Sequence, residues 1–216
     1  AVQFFVFKSG SANIDAAEKE VQELVDKEIK NSDGRFELVS INNSAEETAV
    51  CNIGWINFAE HVTDGAFDER KVVETVQLGM RMLDNIIDAN YYPTKETKTS
   101  NSRHRPVGLG IGGFHDALYQ MNITFDSEAA VEFADRSMEI ISYHAILTST
   151  DLARERGSYE TFKGSKWDRG ILPIDTLQLL EAERDERIPV SRRSSLDWSA
   201  VRDAIKKNGM RNSNCM

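Results

Sequence analysis

The sequence predicts an α/β fold that is rich in helices, and three observations lead to this expectation. Short segments of aromatic and β-branched residues, such as 2–8 and 35–41, alternate with longer amphipathic segments. The longer segments repeat apolar residues at helical spacing, as Val72, Val76 and Met80 do. Hydrophobic residues make up 40% of the 216 residues and charged residues 28%, which is typical of a globular protein. Strands that alternate with long helices indicate an α/β architecture.

The first 43 residues predict a strand–helix–strand unit. The two short β segments, 2–8 and 35–41, flank a helix whose apolar face runs from Ile14 to Ile29. Many folds contain such a unit, so it identifies none of them. We therefore treat residues 1–43 as a segment of uncertain origin and residues 44–216 as the main unit.

Capping residues define the helices of the main unit. Asp68 predicts the start of a helix through Ile87, and Asp126 or Ser127 the start of a long helix that Gly157 ends. Further helices are predicted at 176–186, where an acidic run forms a solvated face, and at 198–207, between Asp197 and Gly209. The polar stretch 94–105 is expected to be a loop, with Arg103 and Arg105 exposed and without a function. Residues 106–113 are rich in glycine and lead into a short helix from Phe114.

Composition excludes several classes of protein. The net charge of −9, without a basic cluster, argues against a nucleic-acid polymer as partner. No apolar run approaches the roughly 20 residues that span a bilayer, and two cysteines, Cys51 and Cys215, do not make a disulfide scaffold. We expect a cytoplasmic protein that binds no metal of its own. The four histidines are scattered, and each is expected to be a surface or hydrogen-bonded core residue rather than a metal ligand: His61, His104, His115 and His144.

Five short phrases occur in order along the main unit: 49–54 (AVCNIG) with 56–57, 83–88 with 90–93 (NYYP), 103–110 (RHRPVGLG), 157–165 (GSYETFKGS) and 209–213 (GMRNS). In sequence and order they resemble segments from the catalytic barrel of ribonucleotide reductase large subunits. The phrases at 103–110 and 157–165 resemble class I enzymes more than the cobalamin-dependent class. The resemblance implies that residues 44–216 are part of a ten-stranded α/β barrel.

The resemblance also implies a chemistry, the radical reduction of ribonucleoside diphosphates to deoxyribonucleotides. Cys51 falls on the position of one thiol of the redox-active pair, whereas an unrelated cysteine there would be a buried small hydrophobe. Cys215 matches no catalytic position and is expected to be structural. The implied partners are a metal-containing small subunit that supplies the radical, and thioredoxin or glutaredoxin, which regenerates the thiols. No cofactor is expected on this segment, and nucleotide effectors are expected to bind outside it.

The sequence departs from the family pattern at several points. Residues 34–42 contain no cysteine where the family carries its radical cysteine, and the phosphate-binding loop is expected beyond Met216. The chain is therefore predicted to be inactive alone and to need complementary large-subunit segments. An alternative is a non-catalytic split or divergent piece that acts by association with such chains. Trp55 replaces a usual serine, and Gly112 replaces a bulkier residue.

A dinucleotide-binding site of the Rossmann type is the other alternative. Gly108, Gly110 and Gly113 satisfy the G-x-G-x-x-G pattern, and Asp126 follows at a suitable distance for a ribose hydroxyl. The residues before the glycines are polar, however, and Pro106 stands where the preceding buried strand should run. A barrel strand that approaches another backbone closely is the better interpretation of these glycines.

Overall fold

The computed structural model describes residues 46–185, 187–188 and 194–216. The strand–helix–strand unit predicted for residues 1–43 lies outside the described residues. The described strands are β1 (Asn52–Asn57), β2 (Val62–Thr63), β3 (Ala66–Phe67) and β4 (Val107–Gly112). The described α-helices are α1 (Glu69–Ala89), α2 (Lys95–His104), α3 (Phe114–Gln120), α4 (Glu128–Arg156), α5 (Thr176–Arg184) and α6 (Trp198–Asn208). Single 3-10 turns occupy Phe58–His61 and Pro173–Asp175.

The sheet that organises the fold is the parallel pair β1–β4. Its register places Asn52 opposite Val107 and Asn57 opposite Gly112. Parallel strands need a long crossover, and α1 supplies the main part of it. The last residues of the chain lie along the other edge of β4, because the N–H groups of Val107 and Leu109 donate to the carbonyls of Asn214 and Cys215 at 3.2 and 3.1 Å.

Helices form successive layers on one face of this sheet. The inward face of α1 carries Val72, Val76 and Met80, all with no exposed surface. A Cβ added at Gly79 would lie 3.3 Å from Leu109 Cδ1, so the missing side chain lets α1 approach β4 closely. Helix α4 packs on α1, and α6 packs on α4. The core therefore lies between the sheet and these helices, as the predicted apolar face of the helix from Asp68 requires.

The predicted helix boundaries are confirmed where a capping residue defines them. Asp68 accepts a hydrogen bond from Lys71 N and begins α1. Ser127, rather than Asp126, begins α4 by accepting from Ala130 N, and Gly157 ends it. The short helix predicted from Phe114 is α3, which begins at that residue.

The loop predicted at residues 94–105 was wrong, because most of this stretch is helix α2. Thr94 caps it by accepting a hydrogen bond from Thr97 N. The residues that α2 buries are polar: Thr97, Ser100 and Asn101. A search for apolar periodicity cannot detect a helix whose buried face is polar.

The glycine-rich segment is strand β4 itself. Gly108 and Gly110 lie within the strand, whereas a dinucleotide fingerprint places its first glycines in the turn after a strand. The Rossmann interpretation is therefore wrong, and the strand interpretation is confirmed.

Candidate functional site

The two faces of β1 differ sharply in exposure. Asn52 and Ile56 are buried on the side of α1, at 7% and 2% exposure. Ile53 and Trp55 point to the opposite side, where they are 72% and 73% exposed. Because side chains alternate along a strand, Cys51, immediately before β1, shares the side of Ile53 and Trp55. We call this side the open face of the sheet.

The floor of the open face is free of side chains from β4. Gly108, Gly110 and Gly112 lie opposite Ile53, Trp55 and Asn57 in the register of the strand pair. Paired residues on parallel strands point to the same side, so the three glycines face the same space as Ile53 and Trp55. The open face is thus a flat strip of backbone bordered by the side chains of β1.

Cys51 stands at the N-terminal end of this strip. It is an exposed, free cysteine, yet its sulfur lies close to the neighbouring strand, since a Cβ added at Gly108 would be 3.5 Å from Sγ. This partial burial of the sulfur raises the pKa of the Cys51 thiol. The group is therefore a protonated thiol at neutral pH that external molecules can reach.

Cys215 has the opposite environment. It is 3% exposed, and its carbonyl accepts the N–H of Leu109 at the edge of β4. Burial raises the pKa of its thiol to about 12, although a hydrogen bond with Ser149 acts in the other direction. A thiol in this position is inert packing, in line with the structural role expected for it.

A buried ionic cluster lies at the N-terminal end of β4. Asp84 of α1 has no exposed surface, and Arg105 is 5% exposed. Arg105 donates from Nε and Nη2 to Asp84 at 3.0 and 2.8 Å, and from both Nη atoms to Asp88 at 2.8 Å. The expectation that Arg105 is exposed was therefore wrong. Its side chain joins α1 to the start of β4.

Three further groups converge on Asp84 from other parts of the chain. Arg156 Nη1, at the end of α4, donates at 2.7 Å, while Arg211 Nε and Asn212 Nδ2 approach at 3.3 Å. Sequence reasoning missed this cluster. One signal was present, because Asp84 falls on the apolar stripe of α1, where a carboxylate requires a buried partner.

Arg103 and two histidines make local contacts. Arg103 pairs with Glu47 and with Glu160, the latter at 2.9 Å. His104 contacts Thr161 Oγ1 and Glu47, each at 2.7 Å, and His61 contacts Asn57 O and Thr75 Oγ1 at 2.7 and 2.8 Å. These contacts support a structural role for both histidines.

The part of the chain that the structure describes contains neither a metal-binding cluster nor a membrane-spanning helix. No group of three or more His, Cys, Asp or Glu residues there is arranged to hold a metal ion. No helix in the same residues has the length and apolar character needed to cross a membrane.

Comparison with known proteins gives one consistent result. Residues 7–216 match the family model described as ribonucleotide reductase, barrel domain. The ribonucleoside-diphosphate reductase subunit alpha of Chlamydia pneumoniae is 52% identical over 179 residues, which is 82% of this chain and 17% of the relative. The corresponding subunit of Helicobacter pylori is 39% identical over 77% of this chain and 20% of the relative. The large subunit of Arabidopsis thaliana is 36% identical over 86% of this chain and 24% of the relative.

The chain thus spans about a fifth of the length of these curated relatives. The family model begins at residue 7 and so includes most of residues 1–43. The division at residue 43, like the redox role of Cys51 and the cytoplasmic location, stays a prediction.

Proposed function

Because the chain belongs to the ribonucleotide reductase barrel family, we propose that it is part of the barrel core of a ribonucleoside-diphosphate reductase large subunit. In this proposal Cys51 is one of two thiols that reduce the ribonucleotide. The proposed activity is that of the whole large subunit, and this chain is one segment of that subunit.

The observation that carries the proposal is the position of Cys51 on the open face. In an α/β barrel the helices cover the outside of the sheet and the other face points to the interior. Helix α1 lies against the face that buries Asn52 and Ile56, so Cys51 lies on the face that would point inward. A thiol on the helical side could not reach a substrate inside the barrel.

The proposed chemistry balances with two thiols. The substrate loses its 2′-hydroxyl as water and gains a hydrogen at that carbon, while two thiols give up two electrons and two protons and form a disulfide. Cys215 is a poor second thiol because it is buried at the edge of β4. We assign the second thiol to another part of the protein, and the regeneration of the pair to thioredoxin or glutaredoxin.

Radical reduction needs a third thiol to carry the radical, which a metal-containing small subunit generates. The chain contains only two cysteines, Cys51 and Cys215. We therefore propose that the 216-residue chain is inactive alone and acts together with complementary large-subunit segments. The exposed Ile53 and Trp55 also agree with the alternative of a non-catalytic piece that acts by association, because large exposed apolar side chains commonly mark contact surfaces.

A chimera tests the redox role of Cys51. Residues 46–216 replace the matching segment of the Chlamydia pneumoniae relative, and deoxynucleotide formation is measured with small subunit, ribonucleoside diphosphate and dithiol. We expect Cys51→Ser to reduce turnover by about two orders of magnitude or more, with no rescue by added dithiol. The matched variant Cys215→Ala is expected to retain turnover.

Turnover by the Cys51→Ser chimera within a few-fold of the parent would refute the assigned role. The 216-residue chain alone, in the same assay, is expected to yield no product. Product from that chain would refute the proposal that it is inactive alone.

A further inference from the structure

The most unusual side chain on the open face is Trp55. Its indole is 73% exposed, and it lies beside the backbone of β4 at Gly112. A Cβ added at Gly112 would be 3.0 Å from Trp55 Cδ1 and 3.5 Å from Nε1. The glycine therefore leaves the space that the indole occupies, and the position of the ring depends on it.

The indole N–H of Trp55 also differs from those of the other tryptophans. Trp167 Nε1 donates to Ser213 O at 2.9 Å, and Trp198 Nε1 donates to Glu139 at 3.2 Å. Within the described residues, Trp55 Nε1 has no acceptor. An exposed ring with an unused donor is suited to a ligand that is flat and carries hydrogen-bond acceptors.

The distance between Trp55 and Cys51 limits the size of such a ligand. Four residues of a strand cover about 13 Å, and the stretch between the two side chains is made of the side chain of Ile53 and the backbone of Gly108 and Gly110. A length of about 13 Å matches one nucleoside laid along the strip, with its ribose near the thiol and its base near the indole.

From these observations we propose that Trp55 and Gly112 form one base-binding element, in which Gly112 leaves room for the indole and the indole stacks on the base of the nucleotide substrate. This inference rests on the proposed function of the open face and adds the residue that contacts the base. Stacking of a base on an aromatic side chain depends little on which base is present, so the element would accept several nucleotides.

The contact between the Trp55 indole and Gly112 is tested by a double-mutant cycle in the 216-residue chain. Gly112→Ala places a methyl group against the ring, and we expect it to lower the melting temperature by about 2–4 °C and to change the accessibility of Trp55 to acrylamide. In a Trp55→Ser background the same change is expected to have little effect. An equal loss in both backgrounds would overturn the coupling.

Gly110→Ala is the matched control for this cycle. It lies on the same strand and the same face, and its added Cβ would meet only Gly54 O, at an ordinary 3.9 Å. We expect its effect on the melting temperature to be the same with tryptophan or serine at position 55. A dependence on Trp55 as large as that of Gly112→Ala would show that the coupling is not specific.

Base stacking is tested by fluorescence titration of the same chain with ADP and, separately, with ribose 5-phosphate, which has no base. We expect ADP to quench tryptophan emission and ribose 5-phosphate to leave it unchanged. Trp55→Leu should remove the quenching and weaken ADP binding, measured by NMR saturation transfer, about tenfold. Trp55→Phe keeps an aromatic ring and should retain binding.

Absence of quenching by ADP, or equal binding by the Trp55→Leu variant, would overturn the stacking proposal. These outcomes leave the role of Cys51 untouched, because that role is judged by turnover of the Cys51→Ser chimera. Conversely, an active Cys51→Ser chimera would refute the redox role without changing the result of the ADP titration.

Discussion

The two faces of the β1–β4 sheet belong to the same two six-residue strands but differ in what covers them. On the helical face Val107 and Leu109 are 0% and 3% exposed and pack against α1. On the open face the corresponding positions of β4 are glycines, and the neighbouring Ile53 of β1 is 72% exposed. One face thus contributes buried apolar surface to the core, and the other is left largely uncovered by the described residues.

This contrast separates two kinds of sequence constraint. Residues on the face that packs against α1 are constrained by close packing, because a change in side-chain volume there creates a cavity or a clash with α1. Under the proposed function, residues on the open face are constrained instead by the nucleotide that enters the space above them. Substitutions on the two faces should therefore affect different measurements.

The largest expected difference concerns stability. Leu109→Ala removes a buried side chain that packs against Gly79, and we expect it to lower the free energy of unfolding by about 2–5 kcal/mol. Ile53→Ala, on the open face, should cost less than about 1 kcal/mol. Urea unfolding of the 216-residue chain followed by circular dichroism gives both values. A comparable loss in the two variants would mean that the open face is covered within this chain.

The next difference concerns the two thiols. At pH 8 a thiol with a pKa of about 12, as burial gives Cys215, is ionised in only about one molecule in 10⁴. We expect iodoacetamide to label Cys51 at least about 100-fold faster than Cys215 in the folded chain. Mass spectrometry of quenched samples measures both rates.

Variants assign the two phases of labelling. Cys51→Ser should remove the fast phase, and Cys215→Ala should leave it intact. Equal rates at the two cysteines would contradict the difference in burial on which their assigned roles depend.

The smallest expected effect concerns the contact between α4 and the start of α6. Glu139 of α4 accepts hydrogen bonds from Ser194, Ser195 and Trp198 and so fixes the start of α6. Burial alone would raise the pKa of Glu139, but these hydrogen bonds lower it to about 2, below its usual 4.5. Its contribution to stability is therefore fully present above pH 4.5 and is lost as the pH falls towards 2.

We expect this contribution to be about 1 kcal/mol after solvent screening. The measurement is the difference in the free energy of unfolding between pH 6 and pH 3, compared between the parent chain and Glu139→Gln. The variant should show a smaller difference than the parent. An identical pH dependence would show that Glu139 does not stabilise the contact between α4 and α6.

The sequence was sufficient to predict the elements whose signals are local. Capping by Asp68 and Ser127 and the apolar stripe of α1 are properties of neighbouring residues, and the structure contains both. Helix α2 could not be found in this way, because the face that it buries is made of Thr97, Ser100 and Asn101. Its burial depends on tertiary contacts that no local pattern encodes.

Only part of the candidate site was predicted, and the prediction came from family resemblance rather than from local sequence patterns. Cys51 was identified by resemblance to a family, not by any feature of its own, and its redox role still awaits the chimera. Trp55 and Gly112 stood out in the sequence only as departures from the family pattern. Trp55 lies against Gly112 because β1 pairs with β4 and the indole leans towards the residue after next on the neighbouring strand. This contact between distant parts of the chain cannot be inferred from either residue alone.

The carboxylate of Asp84 has a consequence for the way the chain comes apart. It is fully buried and holds Arg105, Arg156 and Arg211, which belong to three distant parts of the sequence. Detaching any one of these parts would leave the buried carboxylate of Asp84 with an incomplete set of partners, which is costly. The end of α4, the start of β4 and the last residues of the chain should therefore open together, as one cooperative unit with a common rate of amide hydrogen exchange.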